Sequence, residues 1–489
     1  MSTIYNVLFL EKLHESIGCV LLIYIILSIV CRKRRCYFKP FLLGMCLFVL
    51  PFFLYADDSY CFRVYLKDKV VDTKAVETPE IFLSPEAIAL RNKRLVDITV
   101  SDVPINPSVI EEVLSVGCRL VTQSKWMSTL VVECEDSLLI EKISVLPVVD
   151  SVACVWVGSG RSQADVCTED QTLLEPLREK LSEEYGYAAE QIGMLNGLPL
   201  HNLGRRGQGM RIAVIDAGFL NMDRIKAFAS LQLLGTHNVV FPGSSVFCAD
   251  DHGTKVLSCM AANLPGWMIG TAPEASYLLI KSEDIRTEFP VEEDFFAAAI
   301  EYADSVGVDV VTTSLGYAGF DTPTAVYSHD DLDGHTSFIS RVAEKAVEKG
   351  ILLFCSAGNE NNLSWGKITF PADVVDVLTV GAITSDRERS NFSSTGFTAD
   401  LRIKPDVVAL GSGVAVINSN GDVQYANGTS FSTPIVAGLG ACLWQSLHWL
   451  SNKEIVALIQ QTASQAERPD VEKGYGIPDF YKAYRKGLE

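Results

Sequence analysis

The sequence predicts an α/β fold whose main domain has a mostly parallel sheet, because apolar-rich runs alternate with helical patterns after Gly209. The predicted strands are 211–215, 277–281, 308–314, 351–355 and 377–383, and the predicted helices are 252–264, 291–306 and 336–349. Apolar runs without polar alternation indicate strands that are buried on both faces, hence a parallel sheet covered by helices. In such sheets, functional sites lie beyond the carboxyl ends of the strands.

A smaller unit precedes this domain and has its own pattern of predicted strands and helices. Its predicted strands are 60–66, 119–122, 129–133 and 150–157, and its predicted helices are 84–93, 107–116 and 135–146. Short strands that alternate with helices over about a hundred residues predict a small α/β sandwich. We place this unit at 57–158, a Gly/Ser-containing and charged linker at 159–185, and the main domain at 186–489.

The first 56 residues contain two apolar runs separated by the basic cluster 32–35. The second run has the pattern of a signal peptide over 32–56, with cleavage expected after Ala56. The first run, 14–31, is either a membrane segment or a product of a start codon placed too early. If both runs insert, the basic cluster should stay cytoplasmic. In each case we expect the bulk of the chain to be exported, to the cell envelope or beyond, with membrane association through 14–31 as the open alternative.

Composition excludes some classes of function. The formal net charge of −19 argues against nucleic acid as a partner, and we interpret the acidity as keeping an exported protein soluble. The 13 cysteines include no C-x-x-C pair, so a zinc site is not expected. Cys259, Cys355 and Cys442 lie in apolar runs and are predicted to be small buried side chains. Disulfides among the others are compatible with an oxidising compartment, but the sequence does not give their connectivity.

Four polar residues stand at the ends of predicted elements, and each has an ordinary structural explanation. Asp216 follows the strand 211–215 and would serve as a helix cap or ion-pair partner. His252 lies in a Gly/Thr turn that opens a buried helix. Asn359 follows a glycine, which is common in turns. Ser430 precedes the apolar helix predicted over 435–450 and would be an N-cap.

Taken together, these four residues supply the groups of a nucleophilic hydrolase. A serine hydroxyl is a poor nucleophile until a base takes its proton, and an imidazole with a pKa near neutrality can do so. A carboxylate fixes the tautomer of that imidazole, and a side-chain amide can donate to an oxyanion. The free N–H groups at the start of a helix also favour developing negative charge near Ser430.

The segments around these residues resemble the signature blocks of the subtilisin-like serine peptidases. The blocks are 215–218, 252–254, 356–359 and 428–430, in the order acid, histidine, asparagine, serine, and 474–479 is similar to the final turn of that family. The resemblance covers about 185–485 and implies the family's three-layer fold and peptidase activity on protein or peptide substrates. No cofactor is implied; calcium sites occur in the family, but no loop here shows a ligand spacing that assigns one.

The resemblance assigns a role to each matching position. It implies that Ser430 is the nucleophile, His252 the general base and acid, Asp216 the orienting carboxylate and Asn359 the oxyanion donor. Ser314, Leu315 and Gly316 resemble the edge segment that pairs with the substrate backbone. Three residues depart from the family pattern: Ala217 replaces a small hydroxyl residue, and Phe431 and Ser432 replace Met-Ala. None of them removes a catalytic group, so we expect activity.

Residues 60–158 resemble the inhibitory pro-domain of these peptidases in position and element order. This implies a zymogen that is inhibited by its own pro-domain and cut by its own active site in the linker. A permanent non-catalytic domain is the alternative. At the level of function, the alternatives are an inactive pseudopeptidase that binds peptides and a peptidase retained at the membrane that acts on envelope proteins.

Overall fold

The computed structural model describes residues 59–67, 73–158, 172–322 and 327–489. The export segments predicted for 1–56 and the first part of the predicted linker lie outside these residues. No helix in the described part of the chain combines the length and apolarity that a membrane crossing requires. Ser59–Glu489 form one compact unit.

The N-terminal unit, residues 59–158, contains a four-stranded antiparallel sheet in the order β2-β3-β1-β4. Its elements are β1 Ser59–Leu66, α1 Pro85–Arg94, α2 Pro107–Leu114, β2 Arg119–Ser124, β3 Thr129–Cys134, α3 Leu139–Ser144 and β4 Val149–Gly158, with 3-10 turns at Thr73–Glu77, Pro79–Ile81 and Val100–Asp102. Ser84 and Asn106 cap the first two helices, each with a proline at the first helical position. A disulfide joins Cys118 to Cys134.

The main domain is organised around a seven-stranded parallel sheet in the order β15-β12-β11-β10-β5-β9-β6. Its larger strands are β5 Arg211–Asp216, β6 Gln232–Asn238, β9 Ser276–Lys281, β10 Val310–Thr313, β11 Leu352–Ser356, β12 Leu378–Ile383 and β15 Val407–Leu410. Two-stranded ribbons are formed by β7 Asn263–Leu264 with β8 Met268–Ile269, β13 Gly396–Phe397 with β14 Ile403–Lys404, and β16 Val414–Ile417 with β17 Val423–Ala426.

Helices cover both faces of this sheet, which makes the domain three-layered. The helices are α4 Ala189–Met194, α5 Leu198–Asn202, α6 His252–Ala261, α7 Val291–Val306, α8 Phe338–Glu348, α9 Thr429–Ser446, α10 Asn452–Thr462 and α11 Phe480–Lys486, with 3-10 turns at Met222–Arg224, Lys226–Phe228 and His329–Asp331. In β5, Ile212 and Val214 enter the core with α6 and α9, whereas Ala213 and Ile215 enter the core with α7 and α8. This double burial explains why the strand shows no polar alternation.

Two predicted helices differ clearly from the structure, and two strands of the main sheet were not predicted. The helix predicted over 435–450 begins at Thr429 and ends at Ser446, so Pro434 lies inside it. The helix predicted over 135–146 is confined to Leu139–Ser144. Strands β6 and β15 were not predicted; β6 is an edge strand of mixed polarity, and such strands lack an apolar run.

The predicted cysteine burial is confirmed. Cys259, Cys355 and Cys442 are unpaired and have no exposed surface. Burial raises the pKa of each of these thiols, so they remain protonated and behave as small apolar side chains.

Candidate active site

Three of the predicted site residues lie at the carboxyl ends of neighbouring strands. Asp216 is the last residue of β5, Ser314 follows β10, and Asn359 comes three residues after β11. Because β11, β10 and β5 are adjacent in the sheet, these residues share one edge. This is the edge at which open α/β sheets place their sites.

His252 is the first residue of α6, and its ring faces Asp216. The Nδ1 atom of His252 lies 2.8 Å from Oδ1 of Asp216, which also accepts the backbone N–H of Ala217 at 2.8 Å. The Asp216 carboxylate is fully buried, whereas 32% of the His252 side chain is exposed. A proton on Nδ1 donates to Oδ1 of Asp216, so Nε2 is left as the basic nitrogen of the ring.

The charge state of His252 results from opposing effects. Burial disfavours the imidazolium, but the charge of Asp216, its hydrogen bond and the nearby Asp250 outweigh it and raise the pKa of His252 above its usual value. Asp250 also accepts the backbone N–H of His252 at 2.6 Å. The acidic surroundings therefore stabilise the protonated ring that a general base becomes after it accepts a proton.

A close approach explains the glycine that follows His252. A Cβ atom at Gly253 would lie 2.4 Å from the carbonyl oxygen of Gly218 and 3.0 Å from Cβ of Asp216. The backbone N–H of Gly253 donates to that same carbonyl at 3.0 Å. Only glycine allows α6 to begin this close to the end of β5.

Ser430 is the second residue of α9, and 8% of its surface is exposed. Its hydroxyl donates to the carbonyl oxygen of Ser314 at 3.3 Å, which is long for a hydroxyl donor. The carbonyl oxygen of Ser430 would normally accept from residue 434, but a proline has no N–H to donate. The hydroxyl of Ser314 replaces that donor at 2.8 Å, which allows Pro434 to lie inside the helix.

The orientation of Asn359 is fixed through its carbonyl oxygen. Oδ1 accepts from the backbone N–H of Thr429 at 3.0 Å and from the Thr429 hydroxyl at 3.1 Å. The NH₂ group therefore points away from Thr429 and is available as a donor. Gly358, with φ +98°, provides the left-handed turn that brings Asn359 into this position.

A cavity of 580 Å³ extends from His252 along the predicted substrate segment. Its lining includes Ser314, Leu315 and Gly316, so the structure brings all three to the same opening as the histidine. On the far side of this segment, Tyr317 and Phe370 exchange backbone hydrogen bonds at 3.0 Å. The use of this segment by a substrate stays a prediction.

Sequence reasoning gave no role in the site to three residues that shape it. Asp250 contacts His252, Thr429 holds Asn359, and the ring of Phe431 lies 5.7 Å from the His252 ring. Each is an immediate neighbour of a predicted residue or lies two positions away, and this proximity in sequence is the signal that could have assigned the roles. Within the described ranges, no group of three or more His, Cys, Asp or Glu is arranged to hold a metal ion.

Comparison with known proteins places the chain in a family. Residues 207–477 match the subtilase family of S8 peptidases. The chain belongs to the subtilase family. It is a serine-type endopeptidase, and residues 61–166 match the S8 propeptide domain described from Bacteroidota. We therefore call residues 59–158 the pro-domain.

Several subtilisins are similar to this subtilase. Subtilisin E of Bacillus subtilis (strain 168) is 30% identical over 290 residues, which are 58% of this chain and 68% of that protein. The subtilisin of Bacillus pumilus is 30% identical over 278 residues, 56% of this chain and 90% of that one. Subtilisin Savinase of Lederbergia lenta is 29% identical over 265 residues, 54% and 87% respectively.

Proposed function

We propose that Asp216, His252 and Ser430 form the catalytic triad of this subtilase and that Asn359 donates to the oxyanion. The observation that carries the proposal is the 2.8 Å contact between His252 Nδ1 and the buried Asp216 carboxylate, at the sheet edge where the Ser430 hydroxyl, in the first turn of α9, donates to the Ser314 carbonyl. It is the contact that a serine hydrolase needs to orient its base.

The first chemical step uses groups whose positions are described above. The Ser430 hydroxyl turns from the carbonyl of Ser314 towards Nε2 of His252. Its hydrogen bond to that carbonyl is long, at 3.3 Å, so breaking it costs little free energy. As Oγ bonds to the substrate carbonyl carbon, its proton passes to Nε2, and Asp216 stabilises the imidazolium.

The oxyanion and the leaving group complete the reaction. The NH₂ group of Asn359 and the backbone N–H of Ser430, which has no intrahelical acceptor at the start of α9, donate to the oxyanion. The C–N bond then breaks as Nε2 returns the proton to the leaving amine, which leaves an acyl group on Ser430. Water, deprotonated by the same imidazole, hydrolyses this ester.

We infer that the pro-domain inhibits the enzyme, and extensive buried contacts support this inference. The guanidinium of Arg63 binds Asp294 of α7 at 2.7–2.9 Å, and Arg91 binds Asp304 at 2.8 Å. Glu301 accepts the backbone N–H groups of residues 125 and 126 at 2.9 and 3.0 Å. Buried paired charges of this kind fix one orientation of two surfaces and slow their separation.

Self-cleavage should fall in the part of the predicted 159–185 linker that precedes Leu174. The residues after this stretch are held by the main domain: Leu174 exchanges backbone hydrogen bonds with Arg224 and Lys226, and Leu181 donates to Gly266. A peptide bond that is hydrogen-bonded to the surface of the main domain cannot enter the active site. Export through 32–56 remains part of the proposal, since a pro-domain keeps the enzyme inactive during transport.

The test compares the full chain with Ser430→Ala and with the matched control Ser432→Ala, whose hydroxyl bonds to the Thr429 carbonyl. We expect a fluorophosphonate probe to label wild type and Ser432→Ala, and both to release the pro-domain. Ser430→Ala should neither be labelled nor be processed. Processing that persists in purified Ser430→Ala would refute self-cleavage, and absence of labelling in folded wild type would refute the assignment of the nucleophile.

A further inference from the structure

The cavity next to His252 is strongly acidic. Its lining carries five carboxyl groups and, apart from the histidine, a single basic side chain, that of Arg286. The five carboxyl groups belong to Asp250, Glu283, Asp284, Glu288 and Asp321. An apolar lining would suit an apolar substrate side chain, whereas this lining favours a cation.

Three of these carboxyl groups already have partners within the protein. Asp250 accepts the backbone N–H of His252, and Arg286 binds Asp284 through two nitrogens at 2.6 Å. The hydroxyl of Tyr317 donates to Glu283, and burial raises the pKa of this glutamic acid well above its usual range. Asp284 is balanced by Arg286 and the raised pKa of Glu283 favours its neutral form, whereas Asp250 keeps a charge that acts on His252.

Glu288 and Asp321 have no cationic partner among the residues that the structure describes. Two hydrogen bonds hold these residues together. The backbone N–H of Asp321 donates to the carbonyl of Glu288 at 2.6 Å, and the backbone N–H of Glu288 donates to the carboxylate Oδ2 of Asp321 at 2.8 Å. No group in the described residues donates a hydrogen bond to the side chain of Glu288, which is half-buried. Burial and the neighbouring charge of Asp321 raise the pKa of Glu288 to about 7. A cationic ligand would offset both effects, because its charge stabilises the carboxylate.

The position of the pro-domain gives the direction in which a peptide crosses this cavity. Trp156, near the end of β4, packs edge-on against Phe289 with ring centroids 6.3 Å apart. Strand β4 ends at Gly158, ahead of the predicted cleavage region, and Phe289 is the neighbour of Glu288. The part of a peptide on the amino side of the scissile bond therefore enters the cavity from the end that carries Glu288. His252 lines the same cavity.

We propose that this cavity is a specificity subsite for a lysine or arginine side chain on the amino side of the scissile bond, with Glu288 and Asp321 as its acceptors. The proposal deepens the proposed function and rests on it. A charge-assisted hydrogen bond in a partly desolvated site corresponds to roughly 10- to 100-fold in kcat/KM. The subsite would therefore prefer a basic side chain over a neutral one of similar length by about that factor.

The experiment uses quenched fluorescent peptides that carry Arg, Lys or Gln at one of the four positions before the scissile bond. The processed wild type should show, at one position, a kcat/KM for Arg or Lys about 10- to 100-fold above that for Gln. Glu288→Gln should reduce this ratio at that position, Asp321→Asn should do so independently, and Glu288→Lys should favour Glu there. The matched control Glu190→Gln, an exposed residue on α4, should keep the wild-type ratio.

The two proposals fail in different ways. Wild type that cleaves the Gln peptides at full rate and shows no basic preference at any position refutes the acidic subsite. A basic preference that persists in both Glu288→Gln and Asp321→Asn also refutes it. Wild type that cleaves no peptide and is not labelled by a fluorophosphonate refutes the catalytic assignment instead.

Discussion

Replacing Arg63 of the pro-domain with methionine should release the pro-domain from the processed enzyme at least 100-fold faster. The Arg63 side chain donates three hydrogen bonds of 2.7–2.9 Å to Asp294 and a fourth, of 2.9 Å, to the carbonyl of Pro290. Its guanidinium also lies 3.8 Å from the centre of the Phe338 ring. Methionine keeps the apolar contact with Phe338 but leaves Asp294, which is 2% exposed, without its counter-ion.

The magnitude follows from the cost of an uncompensated buried charge. Removing one partner of a buried ion pair costs about 3–5 kcal/mol. Asp294 limits this cost because it can take up a proton: burial, opposed by Arg63, already raises the pKa of Asp294 to about 6. We therefore expect a cost at the lower end of this range, about 3 kcal/mol, which corresponds to a roughly 150-fold faster release of the pro-domain at pH 7. Without Arg63 the pKa of Asp294 rises further, so the effect should shrink at pH 5.5 and grow at pH 8.

The assay follows the appearance of activity on a neutral peptide after self-processing, because each released pro-domain frees one active site. Arg119→Met is the matched control, since Arg119 pairs with Glu133 inside the pro-domain and its side chain is 63% exposed. Arg119→Met should release the pro-domain at the wild-type rate. Equal rates for Arg63→Met and Arg119→Met would show that the ion pair does not hold the pro-domain in place. An effect that grows at acid pH would contradict the proposed role of the Asp294 charge.

Two further predictions concern the active site. Asn359→Ala should lower kcat by about 10²–10³ with KM little changed, because in the proposed role its NH₂ group stabilises the oxyanion and not the bound substrate. The exposed Asn362→Ala should leave kcat unchanged, and steady-state kinetics of both variants measures the difference. Asp250→Asn should lower the pKa of His252, because it removes one of the charges that raise it. The imidazole must be neutral to act as a base, so the acid limb of the kcat/KM profile should move to lower pH, and an unmoved limb would contradict this reading.

The sequence alone determined the parts of this protein that depend on neighbouring residues. Helix α7 has the predicted bounds Val291–Val306, because its apolar pattern and the glycine that follows it are local signals. Asp216 and His252 were predicted at the end of a strand and the start of a helix, and the structure places them there. Reactive groups at element boundaries are visible in a sequence since a change of pattern marks each boundary.

The tertiary structure decided how distant segments meet. Arg63 and Asp294 are 231 positions apart, and Glu288 and Asp321 are 33 apart, so no periodicity connects them. The burial of Pro434 inside α9 likewise depends on a hydroxyl from a loop 120 residues earlier. Local patterns determine which residues form helices and strands, whereas the pairing of charges across the folded chain depends on how those elements pack. For that reason the triad candidates were predictable, but the acidic subsite and the pro-domain ion pairs were not.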